Sequence, residues 1–189
     1  MMGCEDAILS IVNSLDNKGN IGRTVIQKIM YFAKIKGVIE AEYIPHYYGP
    51  YSSDVFNSTK SLVSLNFLEE KIETTPRYPY TYVKYTYLST EDGKSVIDEF
   101  IKKDKKDDYK TIKRIAETCE KQTNLDIDTL SCAAKVYYIL DKNGKSMTRE
   151  RIQSEAEKLD WELNSSQITD AVNLLSSLGL VKQDRTKTR

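Results

Sequence analysis

His46 is the single histidine among 189 residues, and it sits in an aromatic run, Tyr43-Ile-Pro-His-Tyr-Tyr-Gly-Pro-Tyr51. Imidazole catalysis needs a nucleophile within hydrogen-bond reach and a group that orients the ring. No serine or cysteine here lies in a nucleophile motif. Cys4, Cys119 and Cys132 are odd in number and scattered. They read as reduced thiols in a cytoplasm, and zinc would need several Cys or His ligands at short spacing. No glycine loop is arranged to cradle phosphates. The expectation is a protein that is not an enzyme and holds no cofactor and no metal.

The remaining candidates are binding residues. Of 13 tyrosines, Tyr43, Tyr47, Tyr48 and Tyr51 fall in the run around His46, and Tyr78, Tyr80, Tyr82, Tyr85 and Tyr87 follow in one later stretch. Strand alternation puts Tyr85 and Tyr87 on the inward face of Val83 and turns Tyr78, Tyr80 and Tyr82 outward. Beside Arg77 and Lys84, outward tyrosines can stack on a partner or reach a phosphate; they can equally pack a hairpin onto its domain, since strands favour aromatics. A helix over residues 52–66 exposes Ser53, Asn57, Lys60 and Ser61, groups able to bond base edges or phosphates. Such a face also serves as a solvated surface or a protein contact. Ser165, Ser166, Gln167 and Asn173 form an equivalent set later in the chain.

These residues need elements to position them. A helix over residues 5–15 carries a stripe of Ile8, Ile11, Val12 and Leu15. The next, over residues 23–36, is apolar over so wide an arc that neighbours should cover it from two sides. Pro45 places the tyrosine run at an edge or bend, and Ser52 or Ser53 caps the helix that follows. Residues 67–73 and 81–88 read as strands, with Pro76 and Pro79 blocking pairing between them. A helix over residues 90–103 leads into a charged joint, 102–108, where a solvated stretch or helical linker is expected. After a helical stretch around Ile112 and Ala116, three more helices follow. Asn164 and Gln167 have capping-box spacing, Gly179 ends the last helix, and a short strand is expected at 180–183.

Three helices and then strand thus occur twice. The predicted fold is mainly α with small β-hairpins: two tandem winged-helix-like domains, residues 1–103 and 125–189, joined by a charged helical linker, 104–124. No apolar run approaches the roughly 18–20 residues of a membrane span, and residues 1–6 lack a secretory pattern. Net charge is zero, with 28 basic and 28 acidic residues. Residues 1–100 carry 10 basic against 13 acidic side chains, residues 101–125 carry 8 against 5, and the rest balance. DNA binders draw most of their sequence-independent affinity from basic surface, and only the joint and a short C-terminal tail supply any.

Two resemblances add to this reading. Leu62-Val-Ser-Leu-Asn-Phe-Leu68, Leu174-Leu-Ser-Ser-Leu-Gly-Leu-Val181 and Tyr87-Leu-Ser-Thr-Glu-Asp-Gly-Lys94 resemble the helix-to-wing and wing-exit phrases of MarR- and PadR-type winged-helix regulators. Gln27-Lys-Ile-Met-Tyr-Phe-Ala33 followed by His46-Tyr-Tyr-Gly-Pro-Tyr51 resembles the Panacea-type antitoxin domain and the related YwgA-like prokaryotic proteins, over residues 5–75. The first resemblance implies a cytoplasmic DNA-binding regulator, homodimeric, that reads DNA through helix 52–66 and the 67–88 wing. The second implies a module that neutralises a partner protein such as a toxin. The residues at stake are Ser53, Asn57, Lys60, Ser61, Arg77, Tyr78, Tyr80, Ser166 and Gln167, with His46, Tyr47, Tyr48, Gly49 and Pro50 as the signature bend.

Overall fold

The structure, a computed structural model, describes residues 1–182 except 17, 20, 78 and 145, with Arg77 described by its backbone alone. The fold is mainly α with one two-stranded antiparallel hairpin among these residues. Three helices come first, α1 (Cys4–Ser14), α2 (Arg23–Ile35) and α3 (Ser53–Ser64). The hairpin follows, β1 (Leu68–Arg77) and β2 (Tyr80–Ser89). Next are α4 (Glu91–Val96), a π-helical turn (Ile97–Ile101), α5 (Lys102–Asp104), α6 (Lys106–Thr123), α7 (Ile127–Asn143), α8 (Arg149–Glu157) and α9 (Ser165–Ser177).

The core centres on α2. Residues Val25 to Ala33 are all buried, because α1, α3, α6 and α7 each pack against this helix. Its polar side chains Gln27 and Lys28 are therefore carried inside along with Ile26, Ile29, Met30 and Phe32. The α6 stripe of Tyr109, Ile112, Ile115, Ala116 and Cys119 is buried against α1 and α2. Before it, Lys102, Lys103 and Lys106 stay in solvent, while Lys105 pairs with Asp6 at 2.6 Å. All buried apolar residues of the two halves belong to one cluster.

Local signals hold at most helix starts. Ser52, Thr90, Asp126 and Thr148 each accept a backbone N–H from the first turn, satisfying one orphan donor. Asn164 and Gln167 form the reciprocal capping box. Four expectations need correction. Pairing continues through Pro76, in register with Thr81, so the hairpin is longer than predicted; a two-stranded ribbon has open edges, where a missing N–H costs no ladder bond. Val83 is 39% exposed instead of inward, because the distal half of the hairpin projects past the core. The helix over residues 90–103 is interrupted by the π-helical turn. No strand forms over residues 180–182, and Gln183 lies outside the described residues, as does the basic tail beyond it. No described helix is long and apolar enough to cross a membrane.

Candidate binding site

Arg23 opens α2 and reaches the base of the hairpin. Its Nε donates to Tyr87 Oη at 3.0 Å and its Nη2 to Glu70 Oε1 at 3.2 Å. Tyr87 donates to the same carboxylate oxygen at 2.6 Å. The guanidinium lies 3.3 Å from the Tyr85 ring centroid and 5.8 Å from that of Phe56, an arrangement that suits a planar, weakly hydrated cation. Burial, with the bond to Glu70, pushes the Tyr87 phenol up to about 12, so it stays a donor. The Tyr87 backbone N–H also reaches Ile21 O at 3.0 Å.

One turn further along α2, Gln27 is buried and clamps both backbone groups of one residue, Ser52. Its Nε2 donates to Ser52 O at 2.8 Å and its Oε1 accepts from Ser52 N at 3.0 Å. Lys28, 2% exposed, donates to Pro50 O at 2.8 Å. These two side chains fasten the end of the tyrosine run to α2. The run is itself a closed loop, with Ile44 and Tyr51 exchanging two backbone hydrogen bonds and Gly49 N donating to His46 O. From the other side, Trp161 Nε1 donates to His46 O at 2.8 Å. Gly49 adopts φ +87°, and an added Cβ would stand 3.0 Å from Lys135 Cγ. Only glycine suits both the left-handed backbone and the close approach of α7. The Gln-Lys and Gly-Pro pairs of the sequence are thus two halves of one clamp.

Gln27 of this clamp also lines a cleft of about 300 Å³ between α2, α3, the bend and β2. Tyr51 and Phe56 supply its aromatic wall, and Arg23, Lys60 and His46 bring nitrogen donors to it. Among the described residues, no group of three His, Cys, Asp or Glu gathers to hold a metal ion. The His46 ring packs on Tyr51, and its carbonyl accepts from both Trp161 Nε1 and Gly49 N.

The sequence-predicted residues are dispersed. Ser53, Asn57, Lys60 and Ser61 are exposed on α3, and Lys60 alone of the four lines the cleft, together with His46 from the bend. Tyr47 and Tyr48 are exposed and stack edge-on at 4.9 Å, whereas Gly49 and Pro50 are buried. Tyr80 is 80% exposed and Tyr82 58% on the distal hairpin. Tyr78 and the Arg77 side chain lie outside the described residues. On α9, Ser166 is exposed and Gln167 spends its Oε1 on the Asn164 backbone. Arg23, Gln27, Phe56 and Glu70 were missed as site residues. Gln27 and Lys28 carried a signal, two polar residues within an apolar helical arc; Arg23 and Glu70 carried none.

No family model matches this chain. It is similar to the uncharacterized protein YwgA of Bacillus subtilis (strain 168), with 35% identity over 79 residues. That match takes in 41% of this chain and 45% of YwgA, so the chain spans less than half the length of this curated relative.

Proposed function

We propose that this chain is a non-enzymatic protein-interaction module that docks a partner protein through its hairpin and the adjoining α3 and bend surface. The observation that carries this reading is the charge state of the hairpin. Among its described side chains the cations face carboxylates, Lys71 with Glu69 and Lys84 with Glu73, both at 3.9 Å, and at its base Arg23 of α2 pairs with Glu70 at 3.2 Å. Large side chains meanwhile stand in solvent on both faces of the hairpin, Ile72, 57% exposed, opposite Tyr85 on one and Tyr80 and Tyr82 on the other. Protein interfaces are enriched in tyrosine and poor in charge at their centres; DNA interfaces need unspent basic surface. A partner such as a toxin is what the Panacea resemblance implies.

A second reading, a DNA-binding regulator of winged-helix type, draws on the exposed Ser53, Asn57, Lys60 and Ser61 of α3 and on the order of three helices then hairpin. Two measurements separate the readings. Photo-crosslinkers placed at Tyr80 and Tyr82 in cells should form discrete protein adducts that a crosslinker at Glu157 on α8 does not form. Fluorescence anisotropy with mixed-sequence duplex at about 50 and 200 mM salt should show no strong, salt-sensitive binding. Absent adducts together with salt-sensitive DNA binding, weakened by Lys60→Ala, would replace the first reading with the second.

A further inference from the structure

We infer that the cleft between α2, α3, the bend and β2 binds a small molecule carrying one carboxylate on an aromatic ring. The inference goes beyond the docking reading: it concerns a free ligand in a concave site that shares α3 and the bend with that surface, and its test uses the ligand alone. Size comes first. At about 300 Å³ the cleft stands at the lower end of the roughly 300–1,000 Å³ range of ligand pockets, room for a single ring and its substituent.

The walls select the body of the ligand. Tyr51 and Phe56 have ring centroids 6.5 Å apart, with planes 43° apart, leaving ring faces and edges available to a third ring. The donors select its head. Lys60 Nζ lies 5.5 Å from the Phe56 centroid and has no carboxylate or hydrogen-bond partner among the described residues. Arg23 commits Nε and Nη2 to Tyr87 and Glu70, and no bond of its Nη1 occurs among the described residues. The His46 ring contacts Tyr51 at 5.3 Å through its face, with neither ring nitrogen in a hydrogen bond among the described residues. Glu70 offsets Arg23, so the cleft retains one uncompensated positive charge, that of Lys60. One carboxylate matches this charge; a doubly charged phosphate leaves one charge unmatched and burdens Glu70.

The floor is also set in advance. Gln27 is held by two bonds to Ser52, and Arg23 by two bonds and two ring faces. Binding therefore orders little beyond Lys60, which keeps the entropic cost of association low.

The test titrates the full chain with benzoate at pH 7, followed by amide chemical shifts, with benzyl alcohol and inorganic phosphate as controls. We expect saturable binding, with shifts concentrated at His46, Phe56, Thr59 and Lys60. Benzyl alcohol keeps the ring without the charge, phosphate the charge without the ring, and each should bind about tenfold more weakly, as expected for loss of one charge-assisted bond or one ring contact. Lys60 is exposed, so Lys60→Ala should leave folding intact and weaken benzoate about tenfold. The inference is overturned by lack of saturation at about 10 mM, the weakest affinity for so small a ligand. It is equally overturned by phosphate or benzyl alcohol binding as tightly as benzoate, by unchanged affinity in Lys60→Ala, or by shifts that map elsewhere.

Discussion

Replacing Lys28 with methionine should make the protein more stable near neutral pH and remove a specific pH dependence. The ammonium is 2% exposed and donates to Pro50 O, with no carboxylate paired to it among the described residues. Burial, and then repulsion from Lys135 on α7, lowers its pKa from 10.5 to about 7. The folded state thus binds fewer protons than the unfolded state between about pH 7 and 10.4. Stability from this group must rise with pH across that window, and the full cost of burying the amine is felt below it. The slope approaches 1.4 kcal/mol per pH unit, so between pH 7.5 and 8.5 Lys28 contributes roughly 1 kcal/mol. Three buried or half-buried thiols work in the opposite sense. Burial raises Cys4 and Cys132 and pushes Cys119 up to about 12, so the unfolded state loses thiol protons first as pH passes about 8.5.

Comparing wild type with Lys28→Met cancels the thiols. At pH 7 methionine removes a deprotonation cost of about 4 kcal/mol. It also leaves Pro50 O without its donor, which costs about 1–3 kcal/mol. The net expectation is a gain of about 2 kcal/mol at pH 7 that shrinks by about 1 kcal/mol between pH 7.5 and 8.5. Urea unfolding of both proteins at pH 6.5, 7.5 and 8.5 measures this directly. A difference that stays constant across the three pH values would refute the reasoning, because it would mean that Lys28 carries its proton equally in both states.

Other expectations concern the clamp and the hairpin base. Gly49→Ala forces a side chain into φ +87° and to 3.0 Å from Lys135 Cγ; urea unfolding should show a loss of about 1–3 kcal/mol. Gly93→Ala should cost more, since its Cβ would stand 2.3 Å from Phe67 O, a backbone atom that can move only with the start of β1. Thermal melts should rank Gly93→Ala below Gly49→Ala, and the reverse order would contradict the contact. Gln27→Leu removes both bonds to Ser52 and leaves its buried N–H unpaired, while its C=O keeps the bond from Phe56 N, an expected loss of about 1–3 kcal/mol. Trp161→Phe keeps most of the packing and removes the bond to His46 O; amide exchange at Tyr47, Tyr48 and Gly49 should quicken while that of α2 stays unchanged.

Much of the framework was legible in the chain itself. The α1 and α2 stripes, the caps at Ser52 and Thr148, the Asn164–Gln167 box and the glycine after α9 all depend on residues within one turn of each other. Period and capping chemistry act at that range, so the sequence displays them. Alternation along β2 was correct for Tyr80, Tyr82, Tyr85 and Tyr87 and failed at Val83, because alternation presumes a core on one face and the distal hairpin has none. The expectation that Pro76 blocks pairing failed for a related reason: whether a missing N–H matters depends on which edge is open.

By itself the sequence determined most of the helical stretches, the starts of those capped at Ser52, Thr148 and Asn164, and that α2 must be covered on several sides. Tertiary structure alone decided what the polar residues do. Gln27 meets Ser52 across 25 positions, Arg23 meets Glu70 across 47, and Trp161 meets His46 across 115. No local pattern encodes such pairs, because each exists only after the helices have packed and brought the buried donor to the one acceptor that satisfies it. Lys28 shows the same division. Its place in an apolar helix was visible in the sequence, but its near-complete burial, its bond to Pro50 O and its depressed pKa arise only where the bend sets Gly49 and Pro50 over it and α7 brings Lys135 alongside.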